Sequence, residues 1–397
     1  MSRRVALVAA AALPCGKWQT PADAALQVLE HEVLASLVAD AVAEAGIDRR
    51  DIGSLAFAQC RPYTLQKYFA TFMAHYLRLP CTGTVSETLG NGMTAGLAFE
   101  RAVDDILLGR AKVALALGVN FETATSAAEH MMSSMRATGD VDFQVPFGFT
   151  PIAWYAMDAA RYMHEYGVSR EAIASVAVKN RRHASLNPLA QFRKLITMED
   201  VLAQPMIVEP LGLFEVPPRS DGAVCLVLAE EEVARATGRP YALIRGRGFY
   251  HEGAHQISEV PNDMTALAAA QRSGQAAYAA AGVGPSDIDF AEVYAPCTIV
   301  EVLVSEALGL MPRGRGAHGA AESETSLGGR IPICTSGGLQ SRGHPAYVTP
   351  FYTFVEVLEQ LQGRAGERQV RDARLALTSA ELGNYNAALV HVLEAVR

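Results

Sequence analysis

Short apolar runs alternate with longer segments of helical period along most of the chain. An unbroken apolar stretch from Val5 to Leu13 follows Arg4, and residues 4–10 predict a buried strand. Residues 24–45 repeat apolar side chains at Leu26, Leu29, Val33 and Leu37, one face at helical spacing, and predict a helix. A short strand is expected at 54–58, helices at 67–77 and 94–108, and a buried strand at 112–119. Residues 121–220 break this rhythm. Met, Ser and Phe are frequent from Ala124 to Phe149, and helices are then expected at 151–166 and 170–185. The run DGAVCLVLA at 221–229 returns to a buried strand. A second alternating block begins near Pro240, with strands at 242–248 and 288–293 and helices at 263–281 and 298–308. A further helix includes 355–361, and two strands close the chain at 373–377 and 387–393. Strands alternating with helices signal an α/β protein. The same order of elements recurs in both halves, a weak internal duplication of pattern. The expectation is two related halves, 1–238 and 239–397, packed back to back to bury two sheets. The first carries an inserted helical lobe at about 121–220.

Composition narrows this picture. At 397 residues the chain exceeds one ordinary core. An apolar fraction of 50% against 19% charged places it among soluble globular proteins. A net charge of −8 argues against a nucleic-acid partner, though a local basic patch would still serve a small anion. Six cysteines (Cys15, Cys60, Cys81, Cys225, Cys297 and Cys334) are scattered, with neither a CxxC pair nor metal-ligand spacing. They read as reduced thiols of a cytoplasmic protein, and no metal site is expected. Ser2-Arg3-Arg4 before Val5 to Leu13 has the outline of a signal peptide, but the apolar stretch is short and suits a first strand. No run of 18 apolar residues exists, so no membrane span is expected.

Several segments carry a family likeness. Ser341-Arg342-Gly343-His344-Pro345 sits in the frame PICTSGGLQSRGHPAYVTP. Residues 151–167 (PIAWYAMDAARYMHEYG), 176–191 (VAVKNRRHASLNPLAQ), 220–232 (SDGAVCLVLAEEE) and 360–370 follow in the same order along the chain. Together they resemble the thiolase superfamily, in its lipid-transfer or sterol-carrier branch. The resemblance implies a duplicated five-layer αβαβα fold, usually a homodimer. It also implies a CoA thioester as substrate with no tightly bound cofactor. Relatives of this kind assemble with a small zinc-ribbon/OB-fold protein, and such a partner is expected here.

The resemblance also assigns roles. Thiolases place a Cys at the start of a buried helix, in a frame like C-x-x-G, where backbone N–H groups and the helix dipole favour a thiolate. The matching segment runs from Val85 to Thr94. Aligning Gly92 with the motif glycine puts Leu89 at the cysteine position, and a shift of one residue offers only Gly90 or Thr88. Leu cannot form an acyl-enzyme, so covalent ping-pong chemistry is not expected. Leu89, Gly90, Asn91 and Gly92 are instead expected to bind substrate. His344 is the intact signature and would donate an N–H to a thioester oxygen. Tyr294 matches an aromatic position of the second loop, where Ala295 replaces an acid. Glu381 falls at the place of a second Cys, in a turn completed by Gly383. A carboxylate in an apolar pocket would move protons near neutrality. Otherwise Glu381 is a solvent-facing turn residue. Tyr347 follows the His344-Pro345-Ala346 segment and either projects a phenol into the pocket or packs. Cys297 and Cys334 either border the pocket or fill the core. Met131, Met132 and Met135 line an adaptable apolar pocket or belong to the core.

Three functions are compatible with this set. A thiolase-like aldolase would cleave a β-hydroxyacyl-CoA by retro-aldol reaction, with Tyr294, Tyr347 or Glu381 as base and His344 stabilising the enolate. An acyltransferase would work without the usual Cys or through Cys297 or Cys334. A non-catalytic subunit would have lost the chemistry altogether.

Overall fold

A computed structural model describes residues 3–18, 29–58, 66–252, 263–383 and 385–397. Residues 24–28 of the first expected helix, and Cys60, lie outside the described residues. Among the described residues the strands are β1 (Val5–Ala12), β2 (Ile52–Ala58), β3 (Val85–Thr88), β4 (Val113–Phe121), β5 (Met206–Val208), β6 (Leu211–Gly212), β7 (Asp221–Glu230), β8 (Tyr241–His251), β9 (Phe290–Glu292), β10 (Leu375–Glu381) and β11 (Ala387–Val396). The helices are α1 (Glu30–Ala45), α2 (Phe69–Tyr76), α3 (Thr94–Leu107), α4 (Ala127–Thr138), α5 (Pro151–Tyr166), α6 (Arg170–Ser185), α7 (Met198–Leu202), α8 (Glu231–Ala236), α9 (Ala268–Ala281), α10 (Thr298–Ala307), α11 (Gly316–Ala321) and α12 (Thr349–Leu361).

The unbroken apolar runs become central strands buried on both faces, as in β2, β4 and β7. Three apolar clusters mark the layers. One packs α1 and α2 against the outer face of the N-terminal strands. The second holds α3 and α12 between residues of β1, β4 and β7 on one side and of β8 to β11 on the other. The third packs α9, α10 and the lobe against the far face of the C-terminal strands. The result is the αβαβα sandwich, with α3 and α12 as its middle layer. α9 lies almost on the backbone of β8: a Cβ at Gly248 would stand 1.8 Å from the carbonyl oxygen of Ser273, so only glycine fits there.

The two expected sheets are not separate. The strands run in one hydrogen-bonded order, β3-β2-β4-β7-β1-β8-β11-β10-β9. The join is narrow: Ala6 and Leu7 of β1 pair with Leu243 and Ala242 of β8, and nothing more of the two strands is in register. Two sheets that twist around a common middle layer meet at a corner, and there their edge strands share a short ladder. The lobe holds α4 to α7 and the small hairpin β5–β6. No described helix is long and apolar enough to cross a membrane. Of Met131, Met132 and Met135, only Met135 is buried, while the other two are exposed.

Candidate active site

β9 and β10 run parallel, so their carboxyl ends open on the same side of the sheet. There the chain forms a cavity of about 140 Å³. Glu381 is the last residue of β10, and Tyr294 stands two residues past the end of β9. Cys297 is the N-cap of α10. The turn into α3 contributes Asn91 and Gly92, and the loop before α12 contributes His344 and Ala346. Glu122, His130, Met131, Ser134, Tyr155 and Arg219 close the side that faces the lobe.

Tyr294 is held rigidly. Its N–H donates to Ser379 Oγ at 3.1 Å, and its carbonyl accepts from the Tyr385 hydroxyl. Its ring meets the His344 imidazole edge to face, with centroids 5.7 Å apart and planes at 79°. The His344 backbone N–H donates to Ser220 Oγ at 2.9 Å, and its Nδ1 lies 2.8 Å from Thr349 Oγ1. The loop that carries His344 is tied to the lobe, because the N–H groups of Gln191 and Phe192 donate to the carbonyls of Arg342 and Ser341 at 2.8 and 3.0 Å. Beneath it, Glu292 accepts from the N–H and hydroxyl of Ser336 at 2.9 and 2.7 Å. The imidazole is therefore placed by strand ends and lobe together.

Two acid–base groups have displaced equilibria. Burial pushes the Glu381 carboxyl up to about 7, although the Tyr385 N–H and the Tyr155 hydroxyl, at 3.1 and 3.4 Å, favour its anion. Burial also pushes the Cys297 thiol well above its ordinary range, and the carboxylates of Glu215, Asp158 and Glu381 add to the effect. A helix N-terminus alone would lower it, but desolvation wins here, so Cys297 stays a neutral thiol.

Not every expected residue reaches the cavity. Strand β3 alternates outward and inward, and that alternation carries Leu89 outward with Val85 and Glu87, leaving it 59% exposed. Gly90 caps the short turn that follows and is not in the wall. Cys334 is fully buried behind it, with its thiol 3.6 Å from the Val293 carbonyl, and is also pushed up by burial. Tyr347 is buried beside the loop, and Ala346 takes the lining position instead, since successive residues of a turn point different ways. Glu381 is 2% exposed, which removes the reading of a solvent-facing turn residue. The sequence pattern gave no sign of Glu122, His130 or Arg219. They lie in the stretch that breaks the strand–helix rhythm, where the pattern marked two helices and a Met-rich run but no polar side chain.

Comparison with known proteins defines the class. A model of the thiolase N-terminal domain matches residues 5–232, and one described as thiolase C-terminal domain-like matches residues 251–395. The chain belongs to the thiolase family. An acetyl-CoA acetyltransferase of Methanothermobacter thermautotrophicus is 31% identical over 89% of this chain and 91% of its own. A steroid side-chain-cleaving aldolase of Thermomonospora curvata is 35% identical over 62% of this chain and 63% of its own. Among solved structures, an Ltp2-ChsH2(DUF35) aldolase superposes with a TM-score of 0.83 at 27% identity, covering 99% of this chain and 98% of that one. Within the family the chain thus resembles the lipid-transfer and sterol-carrier thiolases.

Proposed function

We propose that the chain is a thiolase-like aldolase that cleaves a β-hydroxyacyl-CoA by retro-aldol reaction, without a cysteine nucleophile. The observation that carries this is Glu381: a buried carboxyl that ionises near neutrality, in one cavity with Tyr294 and His344, where the described lining holds a single thiol and that thiol is protonated. In the reaction Glu381 takes the proton of the β-hydroxyl and the Cα–Cβ bond breaks. The bonding pair moves into the thioester as an enolate. His344 donates to the enolate oxygen through Nε2 in the tautomer in which the Thr349 hydroxyl gives its one hydrogen to Nδ1, 2.8 Å away, rather than to the Pro345 carbonyl at 3.3 Å. Protonated Glu381 returns the proton to Cα. The products are a ketone or aldehyde and a shortened acyl-CoA, with no net change in protons. Tyr294 hydrogen-bonds the β-oxygen as it becomes a carbonyl. Tyr347, outside the cavity wall, takes no part. Asn91, Gly92 and Gly383 shape the floor for the thioester.

The likeness to aldolases in sequence and in structure supports this reading. A cytoplasmic homodimer of two thiolase halves, 1–238 and 239–397, working with a small zinc-ribbon/OB-fold protein, is part of the proposal. A panel of β-hydroxyacyl-CoAs, with and without such a partner, tests it by release of a carbonyl product. No release across the panel would sink it. The second reading is an acyltransferase, favoured by the likeness to acetyl-CoA acetyltransferases and by Cys297 in the wall. Intact-mass measurement after incubation with acyl-CoA separates the two, because only the acyltransferase would show a gain that maps to Cys297.

A further inference from the structure

Helix α6 lies directly against the glycine-rich run that leads to His344. The approach is close: a Cβ at Gly337 would stand 2.5 Å from the side chain of Ala184. Polar side chains of α6 hold this run, since Lys179 Nζ donates to the Ile333 carbonyl at 2.8 Å and Arg181 Nε donates to Ser341 Oγ at 3.0 Å. Within this interface Gln340 reaches further. It sits in the short helical turn Gly338–Arg342, just before Gly343 and His344, and is 2% exposed. Its Nε2 donates at 2.9 and 3.2 Å to the carbonyls of Ala295 and Pro296, the two residues that follow Tyr294. Its Oε1 accepts from Asn180 Nδ2 at 3.1 Å, and the same nitrogen donates to Glu301 Oε2 at 2.9 Å. Backbone carbonyls only accept, so the amide has one orientation here. An ionised glutamate would offer those carbonyls no hydrogen, and a lysine would offer Asn180 no acceptor. The position therefore calls for a carboxamide of this length. Gln340 lies outside the cavity wall, yet it joins the turn that bears Tyr294 to the turn that bears His344. A buried hydrogen-bond network of this kind rigidifies the elements it joins.

We propose that Gln340 is a positioning residue of the cleavage. Held by Asn180, its carboxamide fixes the Tyr294 turn against the His344 turn, so that the phenol meets the β-oxygen while the imidazole meets the enolate oxygen. This role rests on the proposed reaction, in which both side chains act on one thioester. Gln340 itself touches no substrate and acts through the placement of Tyr294.

The test is steady-state kinetics of a cleaved β-hydroxyacyl-CoA with the parent, Gln340→Met, Tyr294→Phe and the double variant. Methionine keeps the length of glutamine and removes the donor. Gln340→Met is expected to lower kcat about tenfold to a hundredfold, the order for a displacement of about 1 Å in a reacting site, with KM within about threefold. In the Tyr294→Phe background the same change is expected to cost only about twofold, because no phenol hydroxyl is left to misplace. A role confined to folding would cost the same in both backgrounds. Melting temperatures show whether each variant folds. Asn180→Ala frees the amide oxygen of Gln340 and is expected to give a smaller loss in kcat, again reduced in the Tyr294→Phe background. If Gln340→Met fails to fold, the cycle with Asn180→Ala decides. An unchanged kcat, equal losses with and without the phenol hydroxyl, or a loss confined to KM would each overturn the role of Gln340 and leave the proposed reaction standing. A parent protein that cleaves no β-hydroxyacyl-CoA sinks the proposed reaction, and the role of Gln340 with it.

Discussion

Gly92 packs its α-carbon against the phenol of Tyr294: a methyl group there would stand 2.7 Å from Oη and 2.8 Å from the Glu381 carbonyl oxygen. Both neighbours belong to cavity-lining residues; the Glu381 carbonyl is part of a strand and cannot retreat, whereas Tyr294 is pinned through its backbone only, so its ring must give way. Gly92→Ala is therefore expected to shift the phenol. A displacement on the order of 1 Å in a reacting site costs about a hundredfold in turnover. Stability should fall by about 1–3 kcal/mol, the usual cost of overpacking. Steady-state turnover of a cleaved β-hydroxyacyl-CoA and urea unfolding check the two effects.

Glu381 makes stability depend on pH. Its folded value, about 7, lies above that of a free glutamate, so between roughly 4.5 and 7 the folded protein binds the extra proton. Stability then falls as pH rises through that window. Glu381→Gln cannot ionise and should lose this slope, gaining a few kcal/mol relative to the parent above neutrality, as an order of magnitude from the shift. Unfolding at pH 5 and pH 8 measures it. Cleavage should follow the opposite course, rising with the carboxylate through pH 7 and being lost in the variant. A Glu381→Gln protein that retained the parent's pH–rate profile would exclude Glu381 as base.

His344→Ala should lower turnover about 10²- to 10³-fold, the range for removal of one oxyanion donor. Thr349→Val leaves the ring in place but removes the partner of Nδ1 2.8 Å away. About a tenfold loss in kcat with little change in KM is expected, since the hydrogen bond sets tautomer rather than binding. Equal losses in the two variants would indicate that Thr349 supports the fold instead.

Cys297→Ala should retain turnover within about threefold, because a neutral buried thiol is no nucleophile. Intact mass of the parent after exposure to acyl-CoA should show no acyl adduct. An adduct mapped to Cys297 together with loss of activity in the variant would establish the acyltransferase reading.

The strands most legible in the sequence include two that are buried along nearly their whole length. β4 and β7 read as apolar runs because water reaches neither face, and their buried polar residues, Asn120 and Asp221, fall near strand ends where hydrogen-bond partners are at hand. β3 was not legible: it is a four-residue edge strand, and Ser86, Glu87 and Thr88 give no apolar signal. α12 was seen only from Val355 although it begins at Thr349, since its first turn is buried on all sides and has no polar phase. His344, Tyr294 and Glu381 were named through motif and position. Tyr347 and Leu89 were named by the same route and are not among the residues that line the cavity, because a motif aligns residues without giving the direction of a side chain.

By itself the sequence determined the α/β class, the repeated halves and the family likeness, all of which are carried by local pattern and residue identity. Only the tertiary structure decided that β1 and β8 join the halves, that Gly92 touches Tyr294, and that Arg219 and His130 share the cavity with Glu381. The physical reason lies in separation along the chain. Gly92, Arg219 and Glu381 are distant in sequence, and which of their atoms meet is set by how two twisted sheets pack on a shared helical layer. The displaced equilibria of Glu381 and Cys297 follow from the same packing, because they are produced by the exclusion of water rather than by neighbours in the sequence.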